Sequence, residues 1–295
     1  MLEKLKLFFY RAATGPLINL LWLGNKATDL DIHDETIAVA GGRIRLRIYQ
    51  PRGQGPHPVM LFFHGGGWVF GDLLSHDPVC RDLCFHGRHL VIAVDYRLAP
   101  EYPFPIPVED CLASLQWARD NAARLGGDGK GITLCGDSAG GNLAAVCAQQ
   151  ARSLHPGLIK GQVLIYPVTD HCYYADWPSY KTSGTDDYGL SHKSMSQLWL
   201  WYLRGSKVWK EGDRKHDLAT PLHVENLKGL PPMLMVLAED DMLRDEGLEY
   251  ARRAKEAGNE VQVKRYEKQL HGFIGLKPSE PYRQALNDIV AWLAR

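Results

Sequence analysis

From about residue 36 onward, short β-type apolar runs alternate with longer stretches of helical period, the pattern of an α/β chain. Residues 36–39 and 44–49 are expected to pair as strands around a Gly41-Gly42 turn. Residues 59–63 and 90–94 are unbroken apolar runs, as a strand covered on both faces of a parallel sheet requires. Further strands are expected at 132–134, 162–166, 233–238 and 261–266. Helical spacing falls over 107–124, with Pro107 suited to a helix start, and over 139–152, 245–257 and 281–293; Gly258 is placed to stop the third of these. Between 169 and about 214 this rhythm lapses into an aromatic-rich segment, which is expected to be an insertion. A single domain with a decorating insertion fits the 295 residues, and no repeat, low-complexity tract or Ser/Gly linker divides them.

The first residues carry lysines and 17–23 is apolar, which faintly resembles a secretory leader, but Arg11, Gly15 and Pro16 interrupt it. The apolar stretch falls well short of the roughly 18 residues a membrane span needs. Leu2, Leu5, Phe8 and Phe9 share one helical face, so an amphipathic helix packed on the protein is expected, with no stable membrane insertion. Lys+Arg and Asp+Glu both number 34, which leaves no basic field to hold a phosphate backbone and argues against nucleic acid. The six cysteines (Cys80, Cys84, Cys111, Cys135, Cys147 and Cys172) are scattered, which is neither a disulfide framework nor a zinc spacing and suits the reducing cytoplasm.

Candidate chemistry sits at the strand ends. Gly136-Asp137-Ser138-Ala139-Gly140 lies between an expected strand and an expected helix, where G-x-S-x-G allows the tight turn that presents a nucleophilic serine. His64-Gly65-Gly66-Gly67-Trp68 directly follows the 59–63 strand; its glycines let backbone N–H groups approach a developing oxyanion, and Gly66, Gly67 and Ala139 are the expected donors. No Lys-Ser/Thr follows for a P-loop, and His64 is expected to orient the loop instead of reacting. His271 follows the 261–266 strand by a short loop and can serve as general base to Ser138. After the 233–238 strand come Glu239, Asp240, Asp241, Asp245 and Glu246; the acid behind the histidine is expected here, and spacing alone leaves Asp240 and Asp241 equal.

Together these motifs resemble the hormone-sensitive-lipase-like branch of the α/β-hydrolases, the carboxylesterases and acetyl esterases. The likeness runs through nearly the whole chain, including Gly71-Asp72, Asp95 to Glu101, Phe104-Pro105 and His271-Gly272-Phe273. It implies a mostly parallel sheet flanked by helices, under a helical cap built from about 1–30 and 169–214. It also carries the acid onto Asp241, because the family's Asp-Pro-Leu-Arg-Asp-Glu segment matches 241–246 with Met242 in place of proline. Hydrolysis of short- to medium-chain or aryl carboxylic esters through an acyl-enzyme is implied, with no metal or organic cofactor and with a homodimer through the last strand's edge as a family-level expectation. Trp68, Trp199 and Tyr188 are the expected substrate-lining aromatics. Three other readings have less support. The His-Gly-Gly-x-Trp segment also resembles arylformamidases; the plant gibberellin receptor is similar to the family but lacks the histidine present here as His271; and a true lipase would need a long apolar lid.

Overall fold

The computed structural model describes residues 2–210, 213 and 215–295, and of residues 2–6 and 8 only the backbone. The expected contacts of Leu2, Leu5 and Phe8, and Arg214 at the end of the expected insertion, lie outside the described residues.

Strands β1 (Leu30–Val39) and β2 (Gly42–Pro51) form the expected hairpin, but the turn is Ala40-Gly41, with Gly41 at φ 72° and Gly42 already paired to Val39. β3 (His57–Phe63), β4 (Leu90–Asp95), β5 (Gly127–Asp137), β6 (Ile159–Ile165), β7 (Met233–Asp240) and β8 (Val261–Leu270) complete an eight-stranded sheet in the order β1-β2-β4-β3-β5-β6-β7-β8. Only β1/β2 and β2/β4 pair antiparallel; every later pairing is parallel. The apolar runs are continuous because successive side chains enter opposite cores: Val59, Leu61 and Phe63 join one, Met60 and Phe62 the other. β1 and β8 are the edge strands, and the largely exposed residues of β8 show why its sequence alternates with charge.

The sheet is covered on both faces. α3 (Ile106–Asn121), α4 (Ala139–Leu154) and α7 (Arg244–Glu256) supply one core; α2 (Asp77–Gly87) and α8 (Glu280–Leu293) supply the other. All six cysteines are buried free thiols, and burial raises the thiol pKa of Cys84 to about 12. Two further helices, α5 (Pro178–Thr182) and α6 (His192–Leu203), lie in the insertion.

Helix α1 (Leu2–Leu21) turns Arg11 and Asn19 toward the body. Arg11 donates to Val69 O at 2.8 Å and to Ala99 O at 2.6 Å, and Asn19 donates to Leu74 O at 2.6 Å. Phe9, expected on the packed face, is instead 61% exposed, beside exposed Tyr10, Leu17 and Leu20. The hydrogen bonds to carbonyls of the body set the helix rotation, and apolar period alone could not foresee them. Among the described residues no helix is long and apolar enough to cross a membrane.

The insertion is fastened to the start of α7. Glu246 is fully buried, accepts from Thr169 N at 2.6 Å and Asp170 N at 3.2 Å, and receives the Tyr180 hydroxyl. Ser179 donates its N–H to Asp245 at 2.8 Å and its hydroxyl to Met242 O at 2.6 Å. Burial, with the nearby Asp170 charge, raises the Glu246 pKa well above the usual carboxylate range. A raised carboxyl pKa favours the native state fully below the unfolded value, and that stability is lost as pH rises through the folded value. Glu246→Gln, which mimics the neutral acid, should therefore gain stability relative to the parent as pH is raised from 4 to 9 in urea titrations. Glu246→Ala, which orphans two buried N–H groups, should cost about 3 kcal/mol at pH 4, and this cost should shrink toward pH 9 because only the parent titrates.

Candidate active site

The turn from β5 into α4 is forced by its glycines. A Cβ on Gly136 would stand 2.3 Å from Gly140 O, and one on Gly140 would stand 2.0 Å from Phe63 O. Between them Ser138 adopts φ 54°, ψ −119°, a conformation a non-glycine residue holds only when its surroundings impose it. Here its N–H donates to Ile165 O at 2.8 Å, and its carbonyl accepts from Asn142 N at 3.0 Å. Gly140→Ala should consequently lose about 3 kcal/mol or more, read as a melting temperature lowered by at least about 6 °C.

His271, in the turn after β8, places Nε2 2.9 Å from Ser138 Oγ and Nδ1 2.7 Å from Asp241 Oδ2. Asp241 is almost wholly buried, and its other oxygen accepts from Leu243 N at 2.9 Å. With a carboxylate facing Nδ1, that nitrogen carries the proton and Nε2 is left to accept from the serine hydroxyl. Asp240 pairs with Leu270 in the β7/β8 ladder and faces a cleft shared with Glu239, Arg265 and Lys268, away from the imidazole. The Tyr166 ring lies 4.7 Å from the His271 ring, and its hydroxyl donates to Ile274 O at 2.9 Å, pinning the loop that carries the histidine.

The triple-glycine loop presses against the same turn. Gly66, Gly67 and Trp68 have φ of 110°, 61° and 61°, and Gly66 O accepts from Phe70 N at 2.8 Å to close the bend. A Cβ on Gly66 would meet Phe70 O at 2.4 Å, so the bend admits no side chain. Among the described residues the N–H groups of Gly66 and Gly67 donate to no protein acceptor, and Ala139 N opens α4, where a helix leaves its N–H groups without internal partners.

Trp68 and Trp199 are fully buried against each other at 4.5 Å, and Tyr202 stacks on Trp68 at 4.2 Å, so these rings join the insertion to the body. Trp199 also borders a cleft of about 520 Å³ with Tyr173, Tyr174, Arg204 and Trp209. Tyr188 is half-buried in an otherwise exposed turn whose Gly189 faces the His271 carbonyl. Three residues near the site carried no motif signal. Leu198 reaches the place a Cβ of Gly67 would occupy, to within 2.5 Å; His76 contacts Asp137; and Tyr166 backs His271. Each meets the site through a contact distant in sequence. Among the described residues no group of three His, Cys, Asp or Glu side chains is arranged to hold a metal ion.

Residues 60–275 match the α/β-hydrolase fold family. The chain is 39% identical over 254 residues to the carboxylic ester hydrolase LipN of Mycobacterium tuberculosis, covering 84% of this chain and 65% of that protein, just under two thirds of its length. It is 38% identical over 250 residues to the carboxylesterase NlhH of the same organism, covering 83% of this chain and 76% of the relative. An esterase structure from Pyrobaculum calidifontis superposes with a TM-score of 0.91 at 36% identity, over 97% of this chain and 92% of that one. The chain belongs to the α/β-hydrolase fold family, in its hormone-sensitive-lipase-like branch of carboxylesterases.

Proposed function

We propose that this chain hydrolyses short- to medium-chain or aryl carboxylic esters, with Ser138 as nucleophile, His271 as general base and Asp241 as the acid behind it. The observation that carries the reading is the unbroken line of hydrogen bonds from Asp241 through His271 to Ser138, at 2.7 and 2.9 Å. Ser138 Oγ attacks the ester carbonyl carbon as its proton passes to His271 Nε2, and the carbonyl π electrons move onto oxygen. The N–H groups of Gly66, Gly67 and Ala139 hold that oxyanion. Collapse expels the alcohol, which takes the proton from His271. Water then repeats the sequence on the acyl-enzyme, releasing the acid and restoring Ser138.

Leu198 against Gly67 narrows the space beside the loop, which supports a small acyl group. Initial rates across p-nitrophenyl esters from acetate to palmitate test this. The rate should fall sharply beyond butyrate or hexanoate, and a preference for palmitate would overturn the small-ester reading. N-formyl anilides, assayed beside acetyl and butyryl esters, should be turned over far more slowly; the reverse order would favour an amidase. The open β8 edge supports pairing with a second copy, and the buried free thiols support a cytoplasmic setting.

A further inference from the structure

Asp137 stands directly before Ser138 and is buried, yet the line of hydrogen bonds from Asp241 to the serine does not use it. Its Oδ1 accepts from Gly65 N at 2.8 Å, at the root of the triple-glycine loop. A Cβ on Gly65 would stand 2.3 Å from its Oδ2, so the loop backbone lies flat against the carboxylate. On the other side of that carboxylate is His76, with Nε2 at 3.2 Å from Oδ1 and 3.4 Å from Oδ2. One residue thus fixes two things: its backbone leads into the nucleophile turn, and its side chain fixes the start of the loop that offers the oxyanion donors.

The hydrogen bonds around His76 favour its charged form. Nδ1 lies 3.0 Å from Ser75 Oγ, and Ser75 places its own hydroxyl 3.0 Å from Asp72 O. A serine hydroxyl has one hydrogen; directed at the carbonyl, it leaves Nδ1 as the donor. Nε2 faces a carboxylate and donates to it, so this arrangement places a hydrogen on each ring nitrogen, the pattern of an imidazolium. Three other titratable groups matter here: Asp137 from the end of β5, Asp72 from the preceding turn, and His64, whose ring centroid is 5.5 Å away. His64 is the neutral member of the pair. Burial and the adjacent His76 lower its pKa, its Nδ1 lies 2.8 Å from Gly65 O, and its ring stacks on Tyr96 at 4.2 Å. For His76, burial pushes the pKa down, but the Asp137 charge and hydrogen bond outweigh it and leave it raised; Asp137 is correspondingly lowered, burial opposing and His76 prevailing.

We propose that His76 and Asp137 form a charged clamp that positions the oxyanion loop, making both of them positioning residues for the transition state. The proposal rests on the esterase reading above. The clamp touches no substrate; it acts by holding Gly65, and through Gly65 the N–H groups of Gly66 and Gly67. Such an effect belongs to kcat, because oxyanion donors bind the tetrahedral state more strongly than the planar ester. It also gives the enzyme an alkaline limit, since a deprotonated His76 leaves Asp137 without its counter-ion.

The test uses His76→Gln, His76→Ala and Asp137→Asn in the full chain, assayed on p-nitrophenyl butyrate from pH 5 to 10. Rates are expressed per active site titrated with a phosphonate ester, so that losses in folding drop out. His76→Ala and Asp137→Asn should lower kcat by about 10- to 100-fold with KM within about threefold, the scale on which a misplaced catalytic group is felt. His76→Gln keeps a donor toward Asp137 without the charge, and should remove the alkaline fall in kcat that the parent shows. All three variants should also narrow the rate ratio between the oxygen ester and its thiono analogue, whose C=S is a poorer acceptor for the loop's N–H groups. Unchanged kcat, pH profile and thiono ratio in these variants would overturn the clamp, provided Ser138→Ala is inactive. Activity surviving in Ser138→Ala would overturn the esterase reading itself.

Discussion

Ser138→Ala will lower kcat toward p-nitrophenyl butyrate by about four to six orders of magnitude, the range seen when a hydrolase of this chemistry loses its nucleophile. The expectation rests on geometry: the hydroxyl is the one reactive atom 2.9 Å from His271 Nε2, at the turn where β5 meets α4. Alanine meets the same backbone demand at φ 54° as serine does, so the fold should not move. Thermal melts of the two proteins should agree within about 2 °C, as expected for a change that empties no core volume. A variant that melts like the parent and keeps more than a tenth of its kcat would refute the nucleophile assignment.

Asp241→Asn will lower kcat by about 10,000-fold, while Asp240→Asn will leave it within about threefold. Asp241 accepts from two donors at once, Leu243 N at 2.9 Å and the imidazole at 2.7 Å. An asparagine must keep its oxygen toward the Leu243 N–H, which turns its NH2 group to His271 Nδ1. That nitrogen then has to accept, the ring proton moves to Nε2, and the imidazole can no longer take a proton from Ser138. Asp240 has no such contact and faces the exposed side of the β7 end with Glu239 and Arg265. Steady-state kinetics on both variants decide the matter, and equal losses would mean that the loop, not the acid, is being disturbed.

Much of the fold was legible because its strongest determinants are local. Continuous apolar runs at 59–63 and 90–94 mark strands covered on both faces, and the structure places them in β3 and β4 with side chains dividing between two cores. The nucleophile turn was legible for the same reason: Gly136 and Gly140 touch backbone within a few residues or one strand away, so their identity is written at the motif itself. Element ends were less so. β8 runs to Leu270, beyond the residues that signalled it, because ladder pairing continues where side chains are no longer buried. β5 reaches Asp137 because Gly136 and Asp137, which carry no apolar signal, are paired and buried.

What the sequence determined by itself was the class of fold, the order of its elements and the identity of the serine and histidine, all properties of local period and turn chemistry. Residue spacing left Asp240 and Asp241 equal and only the family resemblance favoured Asp241; tertiary structure separates them physically, because Asp240 is still held in the β7/β8 ladder while Asp241, the first residue past β7, meets the imidazole. It also decided the rotation of α1, the burial of Trp68 and Trp199 against each other, and the meeting of His76 with Asp137 across 61 positions. These are contacts between residues far apart in the chain, and each depends on how whole elements pack, which no window of sequence contains.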